Sequence, residues 1–108
     1  MKVQITFDTY FKEMLPGDTK TCTTRYTKKA NPLDTFDAFG HTFLVLNVIR
    51  TTLEKAVALY YRQEGFLSSD GLKSFWQLLY PVEFPGKRIV YVHFFTRLPK
   101  ETKAEGET

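Results

Sequence analysis

The chain has 108 residues, of which 43% are hydrophobic, and a formal net charge of +3 at pH 7. This length and apolar content suffice for one hydrophobic core without support from metals or disulfides. The single cysteine, Cys22, excludes an internal disulfide and any metal site with several cysteine ligands, and we expect no cofactor or metal.

No segment resembles a targeting or membrane-spanning sequence. Met1-Lys2-Val3-Gln4 lacks the apolar run of a signal peptide. No apolar stretch approaches the roughly 18 residues that a membrane span needs. We therefore expect a soluble cytoplasmic domain with no membrane partner, and the sequence leaves its oligomeric state open.

The first elements are read from hydrophobic spacing. Alternation of apolar and polar residues over 3–7 predicts a short opening strand. Asp8 or Thr9 can cap a following helix, which Pro16-Gly17 ends. The apolar face of that helix has four members: Tyr10, Phe11, Met14 and Leu15.

The next predicted strand, Thr19 to Tyr26, is polar where a structural strand would alternate. Such a strand beside a tight turn is typical of a site, although a solvated edge strand whose lysines block pairing is the alternative. No acidic residue lies between Asp18 and Asp34, and this interval contains four basic residues: Lys20, Arg25, Lys28 and Lys29. A basic segment of this kind attracts phosphate, unless it is simply a solvated loop.

Two further strands are predicted at 35–39 and at 41–50, separated by Gly40. The second of these is apolar on both faces, which predicts burial on both, as in a closed or well-covered sheet.

A helix follows, and it carries one residue that does not fit its surroundings. Thr51-Thr52-Leu53-Glu54 predicts a capping box with Thr51 as the N-cap. Eleven residues after Leu53, Glu64 lies within roughly 20° of Leu53 on the inward face. A carboxylate directed inward at the negative end of a helix dipole needs a cationic or hydrogen-bonding partner. Glu64 is therefore a candidate functional residue, unless its head group reaches water past Gly65.

The remaining elements complete a single predicted domain over residues 1–98. Ser68 is the predicted N-cap of a second helix, which Pro81 ends. Trp76 lies in phase with the apolar face of this helix, which favours a core position over base stacking. A last strand is predicted at 88–96, and we interpret both His41 and His93 as structural. The charged residues 99–108 are expected to form a disordered tail.

These residues resemble a known family. The segment Leu15 to Arg25 has the form L-x-G-x-K-T-x-T-x-R with one residue inserted after Gly17, and it is similar to the signature of ASCH domains. The Asp34-Thr-Phe-Asp-Ala-Phe-Gly-His-Thr-Phe segment resembles the same family, as does Gln63-Glu64-Gly65-Phe66. The likeness extends from Ile5 to Leu98. It implies an α+β fold, a PUA-like mixed β-barrel with three helices around it, and an association with RNA.

Within that family the chain looks most similar to small N4-acetylcytidine amidohydrolases. Their catalytic set carries over to Lys20, Thr23 and Glu64, and the motif arginine to Arg25. The resemblance implies release of an acyl group from N4-acetylcytidine-like nucleosides, with Arg25, Lys28 and Lys29 as candidate substrate or phosphate contacts. The partner would be a modified nucleoside or RNA.

The chemistry of such a set is specific. Thr23 would attack the amide carbonyl, a desolvated Lys20 would serve as its base, and Glu64 would orient Lys20 or exchange protons with the leaving amine. Arg25, on the same strand face as Thr23, would hold the developing oxyanion or a phosphate. Because Lys20 points to the other face of an ideal strand, the set requires Lys20 to lie at the turn or a bulge to redirect it.

Two other functions remain open at this stage. The chain can be a non-catalytic RNA-binding module in which the same basic residues contact phosphates and an aromatic side chain stacks on a base. Ribonuclease activity is a third function, and only the family analogy suggests it.

Overall fold

The computed structural model describes residues 1–81 and 83–99 of the chain. A short 3-10 helix at Thr9–Phe11 precedes the first strand. The strands and α-helices then follow in the order β1 (Cys22–Arg25), β2 (Thr35–Ala38), β3 (His41–Thr52), α1 (Leu53–Tyr60), α2 (Ser69–Leu79) and β4 (Ile89–Arg97).

The four strands form one curled sheet with the order β1-β4-β3-β2. All of its pairings are antiparallel, and β1 and β2 are its edges. The N-terminal segment runs along β2, where Lys2 and Thr35 form a parallel bridge and the Val3 N–H donates to Thr35 O.

Two hydrophobic clusters hold these elements together. One packs the N-terminal segment onto β2, β3 and β4 and includes Ile5, Phe11, Leu15, Phe36, Phe43, Val45 and Phe95. The other packs both helices against β1 and β4 and includes Cys22, Leu53, Ala56, Val57, Leu72, Trp76, Val90 and Val92. Phe66, in the connection between the helices, packs against both clusters.

The prediction that β3 is buried on both faces is wrong for one of them. Phe43 and Val45 are buried, but Leu46 is 54% exposed. The register of the β3–β4 pairing shifts between Val45 and Asn47, which marks a β-bulge. A bulge inserts an extra residue and bends the strand, so alternation fails at that point.

The ends of the helices agree only partly with the sequence prediction. Since β3 continues through Thr52, the N-cap of α1 is Thr52 and its side chain makes no capping hydrogen bond; the predicted capping box at Thr51 is wrong. The Ser68 side chain does cap α2, accepting from the Gly71 N–H. Within the described residues, no helix is long and apolar enough to cross a membrane.

The start of the chain is less regular than predicted. The expected strand at 3–7 is reduced to the bridge at Lys2, and the expected helix is a 3-10 helix followed by turns. In residues 1–81 and 83–99 the structure therefore has two α-helices, and a third is not found. The α+β class is confirmed. The predicted tail, 99–108, lies outside the described residues except for Pro99.

Candidate functional site

A cavity of about 370 Å³ opens between the N-terminal segment, β1 and α2. Its walls combine polar and charged groups with several aromatic rings. The lining residues are Thr6, Phe7, Asp8, Phe11, Lys20, Thr23, Thr24, Arg25, Glu64, Phe66, Leu72, Phe75, Trp76, Leu79 and Tyr80. A largely apolar pocket with a few convergent polar groups is typical of a small-molecule site.

Lys20 lies at the turn before β1 and not within the strand. The turn passes through Asp18 at a φ of 61°, and the backbone N–H groups of Thr19 and Lys20 both donate to Met14 O. Because β1 begins only at Cys22, strand alternation does not fix the direction of the Lys20 side chain. Lys20 and Thr23 line the same cavity, as the predicted set requires.

Glu64 is positioned by the end of the helical segment that begins with α1. Gly65, at a φ of 97°, closes it in a Schellman motif, with the Gly65 N–H donating to Arg62 O and the Phe66 N–H to Tyr61 O. Gln63 O accepts from the N–H groups of Thr21 and Cys22. These bonds join the Glu64 turn to the start of β1, beside Lys20.

Lys20 and Glu64 form a buried ion pair. Lys20 is 2% exposed and Glu64 4%. The Lys20 Nζ lies 2.5 Å from Glu64 Oε1, donates to the Glu64 backbone carbonyl at 3.2 Å, and sits 4.3 Å from the centre of the Phe11 ring. The second carboxylate oxygen, Oε2, is buried with no hydrogen-bond partner among the described residues. The carboxylate therefore retains an acceptor for which the described residues supply no donor.

Thr23 and Arg25 form a second polar group on the cavity wall. The Arg25 Nε donates to Thr23 Oγ1 at 3.0 Å, and its terminal nitrogen donates to Thr6 O at 2.6 Å. The guanidinium also lies over the Phe7 ring. Burial lowers the pKa of Arg25, which the charge of Glu64 opposes. In this structure Arg25, rather than Lys20, is the hydrogen-bond partner of the Thr23 hydroxyl.

His93, on β4, forms a hydrogen bond with the backbone of Thr23. Its Nδ1–H donates to Thr23 O at 3.2 Å, and its Nε2 accepts from the Lys29 N–H at 2.9 Å. Both ring nitrogens are therefore used by the neutral form. Burial lowers the pKa of His93, which favours that neutral form, and the hydrogen bond to Thr23 opposes the shift.

The structure gathers four of the six predicted site residues. Lys20, Thr23, Arg25 and Glu64 line the cavity, whereas the side chains of Lys28 and Lys29 are exposed and are not among its lining residues. Sequence analysis did not single out Thr24, whose buried hydroxyl has no partner within the described residues. No periodic or compositional signal distinguishes it from Thr21 or Thr23.

Neither the cysteine nor a metal cluster offers a competing centre. Cys22 is buried, and burial raises the pKa of its thiol far above the ordinary range, so it is not a thiolate nucleophile at neutral pH. Across residues 1–81 and 83–99, no group of three or more His, Cys, Asp or Glu side chains could hold a metal ion.

Comparisons with known proteins identify the fold. No protein-family model matches the chain, and no curated protein matches its sequence. Among solved structures, hypothetical protein PH0355 superposes with a TM-score of 0.70 at 16% identity, over 91% of this chain and 100% of that one.

Two other solved structures have a similar fold. Protein EF3133 from Enterococcus faecalis V583 gives a TM-score of 0.61 at 14% identity, covering 91% of this chain and 76% of that one. An ASCH domain from Lactobacillus crispatus JV V101 gives 0.60 at 9% identity, covering 89% and 77%. The chain therefore has an ASCH-type fold.

Proposed function

We propose that the chain is an amidohydrolase that releases the acyl group from N4-acetylcytidine-like nucleosides, with Lys20, Thr23 and Glu64 as its catalytic residues. The observation that carries this proposal is the buried Lys20–Glu64 pair in a cavity that Thr23 and Arg25 also line. Buried charges cost stability unless they are well paired, and such groups cluster at functional sites.

The pair can supply a base and an acid together. Moving one proton from Lys20 Nζ to Glu64 Oε1 gives a neutral amine and a neutral carboxylic acid. In the proposed mechanism this proton transfer starts from the ion pair and precedes the attack on the substrate. Lys20 Nζ and Glu64 Oε1 are within hydrogen-bond distance, as a direct proton transfer between them requires.

Acyl transfer then proceeds with a balanced exchange of protons. Thr23 Oγ1 attacks the acyl carbon and its proton passes to the neutral Lys20 amine. Arg25 stabilises the oxyanion that develops. As the C–N bond breaks, the Glu64 carboxylic acid protonates the departing amine and cytidine leaves. This half-reaction ends with a threonine ester, a Lys20 ammonium and a Glu64 carboxylate.

Hydrolysis of the ester returns the site to its starting state. The Glu64 carboxylate takes a proton from water as the water oxygen attacks the ester carbon. The Lys20 ammonium returns its proton to Thr23 Oγ1 as the ester bond breaks, and the carboxylic acid leaves. For the first step Lys20 has to reach the Thr23 hydroxyl, which Arg25 holds in the empty cavity; catalytic hydrogen bonds often tighten only when substrate binds.

The test is cytidine release from N4-acetylcytidine by purified protein. We expect turnover by the wild type and a loss of about 10³-fold or more in Lys20→Met, Thr23→Val and Glu64→Gln, since residues of a catalytic set act as a unit. Thr21→Val, next to the cavity on the same segment, is the matched control and should keep full activity. Thermal unfolding of each variant verifies that it is folded. If the wild-type protein is folded but shows no turnover, the proposed hydrolase function is wrong.

Non-catalytic binding of a nucleoside or RNA is the second candidate, and one observation favours it. Six aromatic side chains line the cavity and offer stacking surfaces: Phe7, Phe11, Phe66, Phe75, Trp76 and Tyr80. Binding without turnover, in wild type and in Glu64→Gln alike, would favour this function.

A further inference from the structure

Thr24 lies on the cavity wall but has no part in the proposed chemistry. Thr24 is 6% exposed and lines the cavity. Its hydroxyl is buried and has no hydrogen-bond partner within the described residues. A buried hydroxyl without a partner costs stability, so its presence next to a cavity points to a partner that arrives with the ligand.

The backbone N–H and C=O of Thr24 are directed away from β4. Phe95 N–H donates to Thr21 O, whereas the Cys22 N–H donates away from β4, to Gln63 O. In an antiparallel pair the residues that bond across the ladder alternate with those that do not. The backbone N–H and C=O of Thr23 therefore point towards β4. Those of Thr24 point to the outer edge of the sheet, because β1 is an edge strand.

Thr24 thus offers a compact set of donors and acceptors. Its N–H donates, its C=O accepts, and its hydroxyl can do either. The polar edge of a cytosine ring needs the same mixture, since N3 and O2 accept and the exocyclic nitrogen donates. Trp76 and Leu72 line the same cavity and supply apolar surface for the faces of the ring.

We propose that Thr24 is the residue that determines base specificity, and that it binds the N3 and O2 edge of a cytosine-type pyrimidine by donating from its hydroxyl to N3 and from its outward backbone N–H to O2. This inference rests on the proposed function for the identity of the ligand. It assigns to β1 two separate tasks: Thr23 meets the acyl group, and Thr24 binds the base.

The experiment measures affinity for cytidine and for 3-deazacytidine, which has carbon in place of N3. Trp76 is the only tryptophan and lines the cavity, so its fluorescence reports binding without any need for turnover. We expect Thr24→Val to weaken cytidine binding about tenfold, as the loss of one hydrogen bond to a ligand does. For 3-deazacytidine we expect wild type and Thr24→Val to bind equally, because the partner atom is absent.

The matched control is Thr52→Val. The Thr52 hydroxyl is also buried without a partner in the described part of the chain, but Thr52 does not line the cavity. Both variants should unfold at or above the wild-type temperature, because each removes an unsatisfied hydroxyl. Only Thr24→Val should lose cytidine affinity, a difference that a purely structural threonine would not produce.

The outcomes separate this inference from the proposed function. If wild type hydrolyses N4-acetylcytidine and Thr24→Val binds cytidine within about twofold of wild type, Thr24 does not read the base and the hydrolase stands. If wild type binds cytidine without hydrolysing N4-acetylcytidine, the hydrolase fails and the two affinities still decide the role of Thr24. If the wild type neither binds cytidine nor hydrolyses N4-acetylcytidine, both the proposed function and the proposed role of Thr24 are overturned.

Discussion

Lys20 and Glu64 stabilise the protein only as a pair. Each is almost completely buried, and the ammonium and one carboxylate oxygen meet at 2.5 Å. Removing one member of a buried pair leaves an uncompensated charge, whereas replacing both by neutral groups of similar size often costs little. The two residues are therefore coupled in stability as well as in the proposed chemistry.

A double-mutant cycle measures this coupling. We expect Lys20→Met to lower the free energy of unfolding by about 3–5 kcal/mol, because it leaves the Glu64 carboxylate buried and unpaired. Lys20→Met/Glu64→Gln should lose less than that single change, since no charge remains. Urea unfolding of wild type, both single variants and the double variant gives the coupling energy. Additive losses would contradict a functional ion pair.

Individual residues differed in how far the sequence could predict them. Glu64 was identifiable because its helical phase directs it inward where the helix dipole disfavours an anion. Its contact with Lys20 depends on the bonds of Gln63 O to Thr21 and Cys22, which join distant parts of the chain. Local patterns carry no information about such bonds. The orphaned hydroxyl of Thr24 is likewise a property of the assembled cavity.

Among the secondary-structure elements, β3, β4 and α2 were predicted within two residues at each end, and α1 extends to the predicted glycine through turns. The structure of the N-terminal segment was not predicted correctly. Its aromatic side chains satisfy helical spacing, yet the Phe11 and Lys12 N–H groups bond three residues back, to Asp8 and Thr9. Tertiary packing of Phe11 against Phe66 and Phe75 outweighs the local preference.

At the same scale, His93 joins three elements and makes the fold sensitive to acid. Its ring links β4 to β1 through Thr23 O and to the following loop through the Lys29 N–H. Protonation of Nε2 would place two N–H groups against each other and break the second bond. Burial lowers the pKa of His93 in the folded protein; the nearby charge of Arg25 also lowers it, while Glu64 raises it.

The pH dependence of stability follows from this direction. The unfolded chain binds a proton below about pH 6.5, the ordinary pKa of histidine, whereas the folded protein does not until its lower pKa is reached. Stability from His93 is thus complete above that pH and is lost as pH falls below it. We expect the free energy of unfolding to decrease between about pH 7 and pH 5. His93→Gln should lose this component and His41→Gln should keep it, as urea unfolding over that range can measure. An equal slope in all three proteins would refute the assignment.

At the scale of the whole molecule, the cavity lies where the two hydrophobic clusters meet. Phe11 of one cluster and Trp76 and Leu72 of the other all line it, and Phe66 contacts both. A ligand in this position would bridge the N-terminal segment and α2. Arg25 of β1, Lys20 just before β1 and Glu64 in the turn after α1 supply charged groups to the cavity, and the N-terminal segment and α2 supply much of the remaining wall.

The salt dependence of binding can distinguish a nucleoside from RNA as the ligand. The net charge is only +3, and the exposed side chains of Lys28 and Lys29 lie outside the cavity lining. An uncharged nucleoside releases no counterions, so its affinity should be nearly independent of salt between about 50 and 200 mM. We expect Lys28→Ser/Lys29→Ser to retain cytidine affinity and turnover, since its two changes leave the cavity intact.

The control for this variant is Lys12→Ser/Lys55→Ser, which removes the same charge from exposed positions elsewhere. If RNA is the true ligand, the two double variants should differ. Binding of a single-stranded RNA would then fall steeply with salt, and loss of Lys28 and Lys29 would reduce the salt slope by roughly one unit for each phosphate contact removed. Affinity for cytidine that survives both double variants and high salt would assign recognition to the cavity, because only its buried groups are insulated from bulk ions.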